Sequence, residues 1–293
     1  MIAVVGATGT IGQHIANGLA DGRLDTIGLV REPLADVPVP TRTVDLRDPR
    51  SVRAGLAGVD QLLLLTPHVP DQDVLEAAAL RGAMAAGVRR IVKISGAAST
   101  LGPNGTTPTA MAHWHSERRI EQSGLGFCFL RPTFLAQNLL TAVAPTVASS
   151  GMLAAPMGHA PIAIVDARDV ASCAVSALAQ PDAPDAAWSI TGPRPVTFDE
   201  IATQLGVPYV DVPPALAARV LRARGHANCE VEHTLCMAAH YASGAEAVAT
   251  DAVNRLTGRP PRSVQAFLEE NAGAFASRRW PILTAIATLK GRT

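Results

Sequence analysis

Along the first half of the chain, short apolar runs alternate with longer stretches in which apolar residues recur every three or four positions. Residues 2–5, 26–30, 43–46, 61–66, 90–95 and 127–130 have the length and β-branched content of strands, and 11–21, 50–57, 72–86, 113–123 and 133–148 carry a helical period. Strands that alternate with helices predict a parallel sheet. The four leucines at 62–65 show no polar alternation, as expected of a strand covered on both faces, which favours a doubly wound α/β sheet over a sandwich. A further unit over 163–180 and a short strand at 188–191 return to that sheet. Thr197 and Glu200 have capping-box spacing, so a helix starts there, and beyond Pro213 the pattern is almost wholly helical. GTTPTAM (105–111) and PDAPDAA (181–187) read as loops too short to be linkers. The expected organisation is an α/β core over 1–150 with 160–195 returning to it, and a smaller, mostly helical lobe over 196–293.

Gly6, Gly9 and Gly12 stand three apart in GATGTIG, between the first strand and the first helix. In that setting the first glycine permits a tight turn, the second lets the backbone approach a pyrophosphate, and the third lets helix pack on strand. Free N–H groups and the helix dipole favour an anion there. The turn therefore predicts a dinucleotide site built from Gly6, Thr8, Gly9, Thr10, Ile11 and Gly12. The second strand runs into GLVRE, which sets Arg31 beside the adenosine ribose, where arginine accommodates a 2′-phosphate. NADP(H) is accordingly expected over NAD(H). Glu32 as a ribose ligand and Arg31 as an ordinary solvated cation are the competing readings.

Several segments together, GATGTIG, VDLRD at 44–48, LLLLTP at 62–67, HWHSERRIEQSGL at 113–125, FLRPTFLAQN at 129–138 and LTGRPPRSVQAFLEE at 256–270, resemble the NmrA-like, atypical short-chain dehydrogenase/reductase family nearly end to end. The resemblance implies an NAD(P)-binding Rossmann domain with a smaller C-terminal substrate lobe, and substrate in the cleft between them. It also implies that Asp45 and Leu46 lie near adenine, and that Thr66, Pro67 and Ser95 run along the cofactor towards nicotinamide.

Typical short-chain reductases use a Tyr-x-x-x-Lys pair as proton donor and ribose clamp. Here the tyrosines are Tyr209 and Tyr241, the lysines Lys93 and Lys290, and neither tyrosine has a lysine four residues on. His113 and Glu117 are four apart and share a helical face; a carboxylate beside the imidazole would orient it and favour its protonated form. The resemblance sets this helix beside nicotinamide, with similar His-x-x-x-Glu spacing in quinone-reductase relatives. Glu117 paired with a nearby arginine is the competing arrangement, and His115 lies on another face. A quinone that accepts hydride yields a phenolate that water can protonate, so loss of the tyrosine acid favours quinones or related conjugated carbonyl compounds over simple ketones. The expected function is an NADPH-dependent oxidoreductase of that class. The alternatives are a non-catalytic NADP(H)-sensing regulator and a tailoring reductase of a biosynthetic intermediate.

Phe134 is a candidate on the substrate side, with core packing as its alternative. His226, Cys229, His233, Cys236 and His240 fall on one stripe if they share a helix. Ligands along one straight helix do not converge on a single ion, so no metal is expected and the stripe, with Met237, reads as a wall of the substrate pocket. The 25 basic and 25 acidic residues cancel without any block of like charge, which gives no reason to expect nucleic acid or an anionic membrane as partner; a small-molecule substrate is expected. Gly6 interrupts any N-terminal apolar segment, no run approaches membrane-spanning length, and the four cysteines form no CxxC pair. A cytoplasmic protein with reduced thiols is the expectation.

Overall fold

The computed structural model describes residues 1–32 and 37–276. Along the chain come β1 (Ile2–Val5), α1 (Thr10–Asp21), β2 (Thr26–Val30), β3 (Thr41–Thr43), α2 (Pro49–Gly55), β4 (Gln61–Leu64), α3 (Gln72–Ala86), β5 (Arg90–Ile94), α4 (Pro108–Glu121) and β6 (Gly126–Pro132). Then follow α5 (Ala144–Ser150), β7 (Leu153–Ala155), α6 (Ala167–Leu178), β8 (Ala186–Ile190), α7 (Phe198–Leu205) and β9 (Tyr209–Asp211). The last helices are α8 (Pro214–Ala223), α9 (Asn228–Ala242), α10 (Ala252–Thr257) and α11 (Val264–Glu270).

One compact unit comprises Met1–Thr133, Ala167–Thr191 and Thr250–Pro261. Its seven-stranded sheet has the order β3-β2-β1-β4-β5-β6-β8, and every neighbouring pair is parallel. This is the doubly wound Rossmann arrangement: the chain winds outward from β1 in one direction, then crosses to β4 and winds in the other, so the carboxyl ends of β1 and β4 flank the crevice where such sheets take ligands. Helix α6 packs on both α1 and α10, and α3 packs on both α2 and α4. The leucine run behaves as its lack of alternation predicts, with Leu62, Leu63 and Leu64 fully buried.

The second unit comprises Phe134–Asp166, Gly192–Ala249 and the described residues from Arg262. Its core gathers Phe134, Leu139, Val147, Phe198, Ile201 and Phe267, beside a two-stranded parallel sheet of β7 and β9. The boundary differs from an α/β core ending at 150. Residues 134–150 leave the first unit because Leu139, Val143 and Val147 bury themselves in the second core. The chain returns at 250–261, where α10 packs on α6.

Local chemistry explains where elements depart from their expected limits. α4 begins at Pro108 rather than 113, because Thr107 accepts a hydrogen bond from the Ala110 N–H and proline occupies the first turn. The expected strand 43–46 stops at Thr43, since the Asp45 carboxylate accepts the Arg47 N–H and turns the chain. The expected helix 133–148 is split: Ala136 and Val165 pair extended segments, and a π turn over Leu139–Val143 precedes α5, whose Pro145 has no N–H to continue a regular ladder. α7 starts as expected, with the reciprocal Thr197–Glu200 capping box formed.

Two glycines of the first turn are required by the protein itself. Gly6 has φ +81°, and a Cβ there would lie 2.3 Å from the Leu65 carbonyl oxygen. A Cβ on Gly12 would lie 1.9 Å from the Gly6 carbonyl oxygen. Gly12→Ala is therefore expected to destabilise the unliganded protein by about 1–3 kcal/mol despite alanine's better helix propensity. Urea unfolding of parent and variant checks this, and equal midpoints would refute it.

Candidate active site

The glycine turn joins β1 to α1, with Thr8, Gly9 and Thr10 exposed and Ile11 and Gly12 buried. Gly9 is the N-cap of α1 at φ −78°, a conformation open to any residue, and a Cβ there would meet nothing nearer than 3.6 Å. Nothing in the protein demands glycine at this position, unlike Gly6 and Gly12. The α1 N-terminus carries no side-chain cap and no acidic residue in its first turn, which leaves its N–H groups and positive dipole end to an anion. These features fit the dinucleotide expected from the sequence. Arg31 and Glu32 are both exposed immediately after β2. Asp45 is exposed, Leu46 is half-buried and Pro67 is exposed.

Thr66 and Ser95 follow β4 and β5 and are buried. The Ser95 hydroxyl is buried without a hydrogen-bond partner among the described residues. Thr66 Oγ1 instead donates to Glu76 Oε1 at 2.6 Å, and this bond leads into a buried polar cluster. Lys93 Nζ lies 2.7 and 2.6 Å from the two Glu76 oxygens and 3.1 Å from His113 Nδ1. Gln72 Nε2 is 3.3 Å from Glu76 Oε1 and 3.3–3.4 Å from both ring nitrogens of His113. Lys93 and Glu76 have no exposed side-chain surface, and His113 has 5% of its surface exposed.

The local folding of each element places these groups. Lys93 shares the strand face of Ile91 and Ser95 on β5 by the period of two. Gln72, Glu76, Ala79 and Ala83 form the buried stripe of α3, and His113, Ser116, Glu117 and Ile120 that of α4. Burial works to raise the Glu76 carboxyl, but the Lys93 ammonium, the charge of His113 when that ring is protonated, and hydrogen bonds from Lys93 and Ser116 outweigh it, leaving the pKa at about 2.

Two expectations for His113 are corrected by this geometry. It does share a buried face with Glu117, but Glu117 forms a bidentate pair with Arg131 of β6, at 3.0 Å to Nε and 2.5 Å to Nη2. The carboxylate nearest the imidazole among the described residues is Glu76, 3.8 Å from Nδ1, and the Lys93 ammonium contacts both groups. Protonation of His113 is accordingly opposed: burial, then the Lys93 charge, push its pKa well below the ordinary histidine value. Sequence reasoning missed Lys93, Glu76 and Gln72. The available signal was a charged residue inside each of two otherwise apolar patterns, RIVKI and LEAAAL.

Other candidates lie elsewhere. Phe134 is packed in the second core, edge-to-face with Phe198 and Tyr241, so it does not form a free substrate-facing surface. In the second unit a cavity of about 460 Å³ is lined by Pro156, Asp211, Leu235, Ala238 and Ala242 among others. The cysteine and histidine stripe does not line it, because Leu235, Ala238 and Ala242 come from a different face of α9. His240 pairs with Glu246 and His226 with Glu230. Burial shifts both tyrosine phenols upward. Among the described residues no helix is long and apolar enough to cross a membrane.

A family of NAD(P)H-binding proteins matches residues 6–181. The chain is 32% identical to the NAD(P)H azoreductase of Xenophilus azovorans, over 94% of this chain and all of that one. It is 34% identical to the (4-alkanoyl-5-oxo-2,5-dihydrofuran-3-yl)methyl phosphate reductase of Streptomyces griseus, over 94% of this chain and 99% of that one. The solved structure of an NADPH-dependent quinone oxidoreductase of Escherichia coli, in complex with NADPH, has the same fold with a TM-score of 0.84 at 22% identity, covering 92% of this chain and 99% of that one.

Gly9→Val should leave the unliganded stability within about 1 kcal/mol while weakening NADPH binding about tenfold or more, the scale of one lost charge-assisted contact. Calorimetric titration checks it, and an unchanged affinity would refute it. The buried cluster also sets an acid limit. Below 6.5 an unfolded histidine binds a proton that folded His113 does not, and below 4.5 the same holds for Glu76 down to about 2. Both stabilise the fold above their unfolded values and lose that contribution as pH falls, at up to about 1.4 kcal/mol per pH unit per group. Urea midpoints should drop from about pH 7 to about pH 5, and His113→Gln should flatten that limb; a parent midpoint constant over this range would contradict it.

Proposed function

The chain belongs to the NAD(P)H-binding proteins of the NmrA-like, atypical short-chain dehydrogenase/reductase family, and from that premise we propose that it is an NADPH-dependent oxidoreductase delivering hydride to a quinone or a related conjugated carbonyl compound. Support comes from the placement of a phosphate-binding turn and a buried imidazole at the carboxyl edge of one parallel sheet, in a chain with no Tyr-x-x-x-Lys pair. Relatives described as reducing azo compounds, furanone phosphates and quinones have in common acceptors that conjugation makes electron-poor.

Bound NADPH supplies the hydride. The chain's own work is then to bind, orient and protect. Gly9 admits the pyrophosphate against the α1 N-terminus, and Arg31 meets the 2′-phosphate. Ser95 offers its buried hydroxyl, and Thr66 fixes the end of β4 through Glu76. His113, with Glu117 bracing α4 against β6 through Arg131, presents its ring at the site.

The function is tested by NADPH oxidation with purified protein across a panel of quinones and simple ketones. Acceptor-dependent oxidation with quinones is expected, and none with any acceptor would refute the reading. The 2′-phosphate role has its own readout: NADPH should bind more tightly than NADH, and Arg31→Ala should shrink that ratio about tenfold or more, equivalent to about 1.5–3 kcal/mol. Equal affinities in the parent would remove the role from Arg31.

A further inference from the structure

The geometry points to Glu76 and Lys93 as positioning residues that hold His113 in its neutral, Nε2-protonated form, so that the ring serves as a hydrogen-bond donor to the reduced acceptor's oxygen and not as a proton donor. A lysine ammonium has three N–H donors and no acceptor. Here all three are committed, two to Glu76 and one to His113 Nδ1. Nδ1 must therefore present its lone pair, and a neutral imidazole with Nδ1 accepting carries its hydrogen on Nε2; this form requires the Gln72 amide, 3.3 Å from Nε2, to turn its oxygen, otherwise buried without a partner, towards that hydrogen. A second proton on Nδ1 would set an N–H against the ammonium at 3.1 Å. The charged and titratable groups facing the ring are Lys93 from β5, Glu76 from α3 and His68 from the segment after β4, whose ring centroid is 5.8 Å away. Gly96 closes the other edge, since a Cβ there would lie 3.2 Å from His113 Cδ2. Burial and the Lys93 charge lower the pKa of His113, in keeping with this arrangement.

The consequence is a limit on substrate class, and it rests on the oxidoreductase reading above. A neutral imidazole N–H stabilises an oxyanion but is a poor acid. The acceptor gains hydride from NADPH and one proton from water, while His113 keeps its own proton. Only acceptors whose oxygen becomes weakly basic after hydride arrives, such as quinones and enediones, are turned over well, and simple ketones and aldehydes are not.

Nitrogen–proton NMR correlation of His113 in the full chain without cofactor, assigned by comparison with His113→Gln, tests the ring's form independently of turnover. The parent spectrum should show the Nε2–H tautomer unchanged between about pH 5 and 8. A titrating ring, or the Nδ1–H tautomer, overturns the proposal, and this arm needs no other variant to fold. Glu76→Gln combined with Lys93→Met removes both charges at similar volume, and in it His113 should titrate. With quinone and saturating NADPH, the parent kcat should be flat over the same range. In the double variant kcat should rise about tenfold or more towards acid, with KM little changed; a flat profile there overturns the positioning role. If the parent oxidises NADPH with no quinone, the oxidoreductase reading falls and the donor role with it, while the spectrum alone still decides the locked form.

Discussion

An ammonium ion with no access to water must have an acceptor for each of its hydrogens, and the first unit is built around that requirement at Lys93. Burying an unpaired charge costs several kcal/mol, so the strand carrying Lys93 is stable only where α3 brings both oxygens of Glu76 and α4 brings the lone pair of His113. The constraint ties three elements to one point. Thr66 and Ser116 extend it by donating to the same carboxylate, which connects the end of β4 to the network. A single buried charge thus aligns the carboxyl ends of two central strands and the faces of two helices.

The same cluster decides what the imidazole can do. Histidine beside a carboxylate is commonly protonated; histidine beside an ammonium is not. Glu76 favours a charged ring from 3.8 Å, but burial and the Lys93 ammonium, closer to Nδ1 at 3.1 Å, outweigh it. Glu117, which has the helical spacing to reach His113, is committed to the Arg131 guanidinium, whose planar fork matches a carboxylate better than an imidazole does. A ring held neutral in this way suits acceptors that need little proton help.

At the other side of the switch point the glycine turn divides its work between fold and ligand. Gly6 and Gly12 are demanded by backbone oxygens within 2.3 Å of where a side chain would start, whereas a Cβ on Gly9 would meet the Gly6 oxygen only at 3.6 Å, an ordinary contact. The three look alike in the motif, yet two of them shape the turn and the third is not required by its packing. The second unit is organised differently, by aromatic packing around Phe134, Phe198 and Tyr241.

The sequence by itself determined the parallel sheet, the glycine turn between β1 and α1 and the absence of a tyrosine–lysine pair, because each is written in residues close along the chain: periodicity two or three-and-a-half, glycines three apart, a lysine four after a tyrosine. The helix start at Thr197 was legible for the same reason. It did not reveal that Phe134 belongs to a core, that residues 134–150 leave the first unit, or that His113 answers to Lys93 and Glu76. Lys93 is hidden in an apolar strand and Glu76 in the apolar face of α3, where spacing signals burial but not the partner. Only the tertiary structure decided which charges met. The partner of a buried charge is chosen by how elements distant in sequence pack, and the energy of leaving it unpaired exceeds any preference carried by its neighbours along the chain.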